Sequence, residues 1–230
     1  FSSSNIMKTF SFFALLFTTK ALTTPPTKSF PEITQTLFKM SRPNNLPQTA
    51  LATFVGAAAA HTNPINEIFD PQLFTASALA TGICANSMIV NDFFDAKFGN
   101  DPYDRKNLIV NGDISPDIVK KYLSASYALI FLTSFSLKSP ELTAVVLFSA
   151  FITIIYTPIL KNIVFVKNLS VGAIVALTPV VGAIATSDNF NDAFNNPDSR
   201  LMHLFLATFA GSVHQELIMD ISDSKFDAFQ

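Results

Sequence analysis

Long uncharged stretches alternate with short polar segments along this chain. Most of these stretches approach the roughly 20 apolar residues that an α-helix needs to cross a bilayer. The stretch at 142–160 is the most apolar, and the first is the weakest because its apolar core covers only residues 50–60. The pattern predicts six membrane-spanning helices, in windows 43–66, 71–91, 122–137, 142–160, 168–187 and 201–215.

The composition agrees with a membrane protein. Charged residues make up 14% of the chain and hydrophobic residues 49%, whereas soluble domains carry about 25% charged residues. Such hydrophobicity excludes a disordered chain, and a net charge of −2 does not suit a nucleic-acid binder. One cysteine, Cys84, excludes an internal disulfide, and with three histidines it excludes a Cys/His zinc cluster. The predicted fold class is an all-α, multi-pass transmembrane bundle; the alternative, a soluble all-α bundle, would not need six charge-free windows.

The first 38 residues have the character of a targeting leader. An apolar run at 10–17 follows Met7 and Lys8, as in a signal peptide, and residues 18–30 are rich in Thr and Pro without an acid, as in a transit peptide. The combination indicates import into a plastid; a plain secretory signal is the alternative. We expect residues 1–38 to be poorly ordered and residues 39–230 to form the membrane domain.

The basic residues give an independent test of the six spans. If every window crosses once, ten Lys and Arg residues beyond the leader lie on one side and only Lys138 and Arg200 on the other. The positive-inside rule then places the side with ten in the cytosol or in the stroma of a plastid. The ten are Lys39, Arg42, Lys97, Arg105, Lys106, Lys120, Lys121, Lys161, Lys167 and Lys225.

Acidic residues cluster on that same basic side, at the ends of the second and sixth windows. Asp92 and Asp95 are three residues apart, and Asp220, Asp223 and Asp227 step by three and four, so each set shares one helical face. Close carboxylates destabilise a fold unless a cation neutralises them, and all-oxygen ligand sets suit Mg²⁺ shared with substrate phosphates. Together with the nearby bases, the clusters predict a Mg²⁺–diphosphate site at the membrane surface; ordinary solvated charges are the alternative.

Five ordered motifs resemble the UbiA superfamily of intramembrane prenyltransferases. The segment 91–95 is similar to the first aspartate-rich motif of that family, and 220–227 is similar to the second. The segment 41–45 resembles the start of the family's first helix, 111–115 the turn after the first motif, and 156–161 with 167–168 the exit of the fourth helix. The resemblance covers the chain from about residue 39 to its end.

The sequence departs from the family pattern at several places. Gly99 stands where much of the family has an acid, and Asp101 is the nearest substitute. The Arg-Pro pair common after the first motif is absent, and His214 with Gln215 replaces an arginine often found before Glu216. Family members have about nine helices and this chain has six windows, so the resemblance implies that the C-terminal third of the bundle is missing.

The resemblance implies transfer of a prenyl group from an allylic diphosphate to an aromatic acceptor, with Mg²⁺ as cofactor. It implies catalytic roles for Asp92, Asp95, Asp220 and Asp223, and metal binding by these four with Asp101 and Asp227. The implied substrate-binding residues are Arg42, Asn91, Arg105, Lys106, Tyr156, Lys161 and Lys167.

The implied partners are a prenyl diphosphate and a lipophilic or aromatic acceptor, with neither nucleic acid nor a protein partner. The implied location is a membrane, and the leader indicates a plastid membrane with the site facing the stroma. Acceptor identity and prenyl length stay open. Three alternatives remain: a soluble prenyl diphosphate synthase, a transporter whose acids bind an ion near the bilayer midplane, and a catalytically idle membrane subunit.

Overall fold

The computed structural model describes residues 28–61, 65, 67–98, 107–163, 165–187, 191, 194 and 200–227, and of residues 223–227 the backbone only. Within these ranges the fold is all α-helical, as predicted, with seven α-helices and no strand. They are α1 (Phe30–Met40), α2 (Leu46–Ala60), α3 (Pro71–Phe98), α4 (Pro116–Ser134), α5 (Pro140–Tyr156), α6 (Val166–Thr186) and α7 (Leu201–Asp227).

Serine–proline pairs determine where two of the helices begin. The side chains of Ser115 and Ser139 accept hydrogen bonds from backbone N–H groups of Ile118 and Leu142, at 3.3 and 3.0 Å. The proline that follows each serine occupies a first-turn position, where its missing N–H costs nothing and its fixed φ suits the helix. The starts of α4 and α5 are therefore encoded locally.

Each of the six charge-free windows lies mainly within one helix, α2 to α7 in order. Among the described helices, two are long and apolar enough to cross a membrane by length and hydropathy alone: α3, with mean hydropathy 1.6, and α6, with 2.0. Helix α3 has 28 residues, whereas about 20 are enough to cross the hydrocarbon core. About two turns of α3 can therefore extend beyond the core. If the span is the predicted window 71–91, these turns contain Asp92 and Asp95.

Large apolar side chains also cover much of the outer surface. Leu129 and Leu132 on α4, Phe148 and Phe151 on α5, and Leu206 on α7 are all exposed. An apolar exterior of this extent is unfavourable in water and favourable against lipid chains. It supports the prediction of an integral membrane protein.

Helix α6 is the centre of the bundle and contacts α2, α3, α5 and α7. Its crossing with α2 brings backbone against backbone: a Cβ on Gly56 would lie 1.8 Å from the carbonyl oxygen of Pro179, and one on Gly182 would lie 1.7 Å from that of Thr53. Such a close approach requires glycine on both helices, as is common where membrane helices pack. It fixes α6, and with it the residues at the start of α6.

The folded chain begins earlier than the boundary expected at residue 39. Ser29 and Glu32 form a capping pair, in which the backbone N–H of Ser29 donates to Glu32 at 2.8 Å and starts α1. Met40 is buried, and Ile33 and Leu37 pack against the core. The leader expectation missed α1 because it was drawn from composition. The apolar residues of α1 recur at helical spacing, which composition does not record. Residues 1–27, which carry the signal-like run, lie outside the described ranges.

Polar contacts at the two ends of the bundle agree with the alternating topology. At one end the ammonium group of Lys138 lies 2.7 Å from the carboxylate of Asp70, and the backbone N–H of Arg200 donates to the backbone carbonyl of Ala59 at 3.0 Å. We call this the opposite end. The other, which we call the aspartate end, contains the last turns of α3 and α7, the start of α6 and the connection 157–165. Lys138 and Arg200 are thus separated from Arg42, Lys161 and Lys167, as the charge pattern predicts.

Candidate active site at the aspartate end

Asp95 is a buried carboxylate held by two partners. Its side chain is 7% exposed, and the ammonium group of Lys161 lies 2.7 and 2.8 Å from its two oxygens. The amide of Asn91, one turn earlier on α3, donates to Asp95 at 2.9 Å. A buried charge is tolerated only when it is paired and hydrogen-bonded, and both conditions are met here.

The connection between α5 and α6 brings Lys161 to Asp95. Lys161 lies in a short 3₁₀ turn, Leu160–Asn162, directly after α5. The hydroxyl of Thr157 and the ammonium of Lys161 both donate to the side-chain oxygen of Asn91, at 3.3 and 3.4 Å. Both polar atoms of the Asn91 amide therefore have partners, and Asn91, Asp95 and Lys161 form one group, which we call the Asp95 group.

Asp220 on α7 has the same kinds of partner, supplied from the first turn of α6. Lys167 lies 2.5 Å from one carboxylate oxygen, and the amide of Asn168 donates to the other at 3.0 Å. Burial favours a raised pKa for Asp220, but the hydrogen bonds from Lys167 and Asn168 and the charge of Lys167 hold its pKa below the usual value. Asp220, Lys167 and Asn168 form a second group, which we call the Asp220 group.

Asp92 has different neighbours from Asp95, although both belong to one motif. The guanidinium of Arg42 lies 3.3 Å from its carboxylate, and the amide of Asn107 donates to its backbone carbonyl at 2.8 Å. Arg42 has a φ of 50°, a left-handed conformation that is uncommon for residues other than glycine. Asp92 is thus linked to the turn before α2 and to the loop after α3.

A second left-handed residue lies in the connection itself. Phe165 has a φ of 67° and an exposed side chain. The left-handed region costs a residue with a Cβ about 1–2 kcal/mol, and such strain is frequent at functional sites. The resulting turn places Lys167 and Asn168 at the start of α6, toward α7.

Tyr156 and Glu216 both interact electrostatically with the Asp220 group. The Tyr156 hydroxyl interacts electrostatically with the carboxylates of Glu216, Asp220 and Asp95. Burial, and then the charge of Asp220, raise the pKa of Glu216, and Lys167 opposes this shift. Tyr156 is therefore within electrostatic range of one aspartate of each group, and its contact with a substrate stays a prediction.

The structure brings together many of the predicted site residues. Asn91, Asp95 and Lys161 meet in one group, and Lys167 meets Asp220 in the other. Arg42 joins Asp92 rather than either group. Asp101, Arg105 and Lys106 lie outside the described ranges, as do the side chains of Asp223 and Asp227.

The predicted magnesium site is tested only in part by these contacts. Among the described residues, no three acidic, histidine or cysteine side chains come close enough together to hold a metal. The donors that the aspartate end does offer are all oxygens, the ligand type that Mg²⁺ prefers. One of them, the buried side-chain oxygen of Asn168, has no partner within the described structure. The donor set therefore fits a hard divalent cation in kind.

Four polar residues of this end were not among the predicted site residues. Asn168 and Thr157 lie in apolar windows, where an uncharged polar residue gives little signal, and Asn107 follows the first motif by 12 residues without a pattern that distinguishes it. Glu216 was used only to align the second motif, although it precedes Asp220 by one helical turn, a spacing that places both acids on one face. That spacing was the signal that could have identified it.

Comparison with known proteins gives the following findings. The model of the UbiA prenyltransferase family matches residues 49–229. A solved structure described as digeranylgeranylglyceryl phosphate synthase in membranes superimposes with a TM-score of 0.68 at 16% identity; the match covers 86% of this chain and 66% of that one. At that identity the similarity shows the fold, and this chain spans about two thirds of its structural neighbour. No curated protein sequence matches the chain.

Proposed function

The chain belongs to the UbiA prenyltransferase family, and on that premise we propose that it transfers a prenyl group from an allylic diphosphate to an aromatic acceptor within the membrane. The observation that carries the proposal is the pairing of two acids with two lysines at one end of the bundle: Asp95 with Lys161, and Asp220 with Lys167. The lysines suit the phosphate oxygens of such a substrate, and the carboxylates suit the cation that accompanies those phosphates.

The proposed cofactor is Mg²⁺, held by Asp92, Asp95 and Asp220, with Asp101, Asp223 and Asp227 completing the set. When bound, it neutralises charge on the diphosphate. Lys161, Lys167 and Arg42 supply fixed positive charge toward the phosphate oxygens, with Arg105 and Lys106 proposed to add to it.

The proposed reaction breaks the bond between the allylic carbon and the diphosphate oxygen, and the electron pair leaves with the diphosphate. An electron-rich ring carbon then attacks the allylic cation, and the ring loses a proton. Water would capture the cation, so the site must be dry. Phe93 and Phe94 within the first motif, and Ile154 near the end of α5, are fully buried and keep this end of the bundle interior apolar. Tyr156 is proposed to contact the substrate.

The placement of the acids argues against the transporter alternative. Ion sites of transporters lie near the bilayer midplane, whereas Asp95 lies one turn before the end of α3 and Asp220 lies two turns before the end of α7. The aromatic acceptor and a plastid location are part of the proposal and rest on the family motifs and the leader. The structural neighbour is named for a glyceryl phosphate product, so an acceptor panel must include a glycerol phosphate.

The test uses the full chain in lipid nanodiscs with labelled geranylgeranyl diphosphate, an acceptor panel, and Mg²⁺ or EDTA. We expect Mg²⁺-dependent product, lost in Asp95→Asn and Asp220→Asn. Asp70→Asn is the matched control, because Asp70 forms a similar lysine pair with Lys138 at the opposite end. Absence of product with every acceptor, in protein that is folded, would leave the idle-subunit alternative. Equal loss in Asp70→Asn would mean that the acids act through stability.

A further inference from the structure

The side-chain oxygen of Asn168 is a buried acceptor without a partner in the described structure. Asn168 is 3% exposed, so water does not replace the missing partner at the protein surface. An unsatisfied buried polar group is destabilising, and in native proteins such groups are rare and call for an explanation, such as a bound ion. The oxygen therefore calls for a ligand.

The orientation of the Asn168 amide follows from its chemistry. Its nitrogen lies 3.0 Å from a carboxylate oxygen of Asp220, and only the NH₂ group can donate there. The opposite orientation would set the amide oxygen against the carboxylate, which is repulsive. The unpartnered atom is therefore the oxygen.

The position of this oxygen is limited by the same contact. Within an amide the oxygen and nitrogen are at most about 2.6 Å apart. Added to the 3.0 Å contact, this places the Asn168 oxygen within about 6 Å of Asp220. Two ligands of one Mg²⁺ ion lie at most about 4.2 Å apart, and one bound water extends that reach. Asn168 and Asp220 can thus serve one cation, directly or through its water.

The chemistry of an acceptor selects the class of ligand. A carbonyl oxygen binds a cation or a hydrogen-bond donor, and it repels the oxygens of a phosphate. Asn91 makes the contrast clear, because its amide also donates to an aspartate but its oxygen is already occupied by Thr157 and Lys161. The two groups at the aspartate end therefore differ in their asparagine oxygens: that of Asn91 is occupied, and that of Asn168 is available to bind a cation.

We propose that Asn168 is a cation-binding residue of the Asp220 group: its NH₂ group orients Asp220, and its oxygen binds a hard divalent cation or a water on that cation. The proposal rests on the proposed function, since it assigns a further ligand to the same site. It gives the Asp220 group an asparagine oxygen as an additional cation ligand, whereas the asparagine oxygen of the Asp95 group is occupied by Thr157 and Lys161.

The experiment measures Mn²⁺ dissociation constants by electron paramagnetic resonance on the full chain in nanodiscs. We expect Asn168→Leu to weaken Mn²⁺ binding about tenfold or more. Asn168→Asp keeps an oxygen and loses the NH₂ group, and we expect it to bind Mn²⁺ as tightly as the unsubstituted chain or more tightly. If Asn168 only held Asp220 in place through its NH₂ group, Asn168→Asp would bind as weakly as Asn168→Leu.

The matched control is Asn86→Leu. Asn86 is buried in α3, and both atoms of its amide pair with Ser126, at 2.8 and 3.1 Å. We expect this variant to lower the melting temperature and leave the Mn²⁺ constant unchanged. If Asn168→Leu does not fold, Asn168→Asp decides alone, and weaker Mn²⁺ binding in it overturns the proposal.

Two results separate this inference from the proposed function. Prenyl transfer with an unchanged Mn²⁺ constant in Asn168→Leu overturns the role of Asn168 and leaves the transferase intact. Mn²⁺ binding that depends on Asn168, in a chain that transfers no prenyl group to any acceptor, overturns the transferase and leaves the cation site. An unsubstituted chain that binds no Mn²⁺ overturns the role of Asn168, whatever its activity.

Discussion

The Asp95 group and the Asp220 group contain the same three residue types in different surroundings. The Asp95 side chain is 7% exposed and that of Asp220 is 33% exposed. Asp95 takes its asparagine from its own helix, whereas Asp220 takes both its lysine and its asparagine from α6. The first group is therefore fixed mainly by local helix geometry, and the second by the packing of α6 on α7.

This difference has an energetic meaning. A buried ion pair that loses one member leaves a charge with no solvent to compensate it, at a cost of about 3–5 kcal/mol. A partly exposed pair loses about 1 kcal/mol or less, since water replaces the partner. The Asp95 group is expected to contribute more to stability, and the Asp220 group to change its contacts more readily when substrate binds.

The largest effect is expected from breaking the Asp95 group. Lys161→Met should lower the free energy of unfolding by about 3–5 kcal/mol and slow prenyl transfer by about 10² or more. Unfolding in mixed micelles measures the first, and the labelled-substrate assay the second. The double variant Asp95→Leu/Lys161→Met should recover most of the stability and none of the activity. A loss below about 1 kcal/mol would mean that the Asp95 pair is as weak as a surface pair.

The next effect tests whether the Asp220 group depends on helix packing. A Cβ on Gly172 of α6 would lie 2.6 Å from a methyl group of Val213 and 3.3 Å from the ring of Phe209, both on α7. Gly172→Ala should cost about 1–3 kcal/mol by overpacking and should reduce the further effect of Lys167→Met, but not that of Lys161→Met. Double-mutant cycles measure this coupling.

The control for that prediction is Gly211→Ala on α7. Among the described residues, no atom outside the neighbouring backbone of α7 lies within 4 Å of its added Cβ, so we expect unchanged or higher stability, by up to about 1 kcal/mol. Equal coupling of Gly172→Ala to both lysines would show that the two groups respond to α6 packing together.

A smaller effect is expected from breaking the Asp220 group. Lys167→Met should lower the free energy of unfolding by about 1 kcal/mol, because Asp220 keeps the hydrogen bond from Asn168 and partial access to solvent. Activity should fall far more than stability. Parallel unfolding and transfer assays measure the two, and a stability loss equal to that of Lys161→Met would remove the distinction between the groups.

The smallest effect serves as a reference for both groups. Lys138 is 59% exposed where it pairs with Asp70, so Lys138→Met should cost less than about 1 kcal/mol at pH 7. Burial opposes the shift, but the hydrogen bonds from Lys138 and Gln72 hold the pKa of Asp70 below its usual value. The pair therefore stabilises the fold above the unfolded pKa of about 3.9.

That contribution disappears as the pH falls through the lower folded pKa of Asp70. The difference in melting temperature between the unsubstituted chain and Lys138→Met should accordingly shrink with acidification. A difference that stays constant from pH 7 to pH 3 would show that Lys138 stabilises the fold through packing.

The sequence was sufficient for the helical class and for the separation of Lys138 and Arg200 from Arg42, Lys161 and Lys167, whereas the roles of the site residues stay predictions. The charge-free windows and the unequal distribution of lysines between the two sides can be counted along the sequence. Neither depends on which side chains contact each other in the fold. Which lysine meets which aspartate does depend on it. Lys161 pairs with Asp95, 66 residues away, although Lys161 stands closer in sequence to the second motif, and the turn at Phe165 separates it from Lys167. That the Asn168 oxygen has no partner among the described residues is likewise a property of its packing and not of its residue type.

The connection 157–165 has a consequence for how homologous chains can vary. Surface loops normally tolerate insertions and deletions. This one carries Lys161 for α3 and leads directly into Lys167 for α7, so one added or lost residue would rotate or displace a lysine relative to its aspartate. We expect substitutions at its exposed positions, such as Phe165, to be tolerated among homologues. We expect changes in its length not to be tolerated. In an alignment of related proteins, a gap at this loop would therefore mark a chain that has lost one of its two lysine–aspartate pairs.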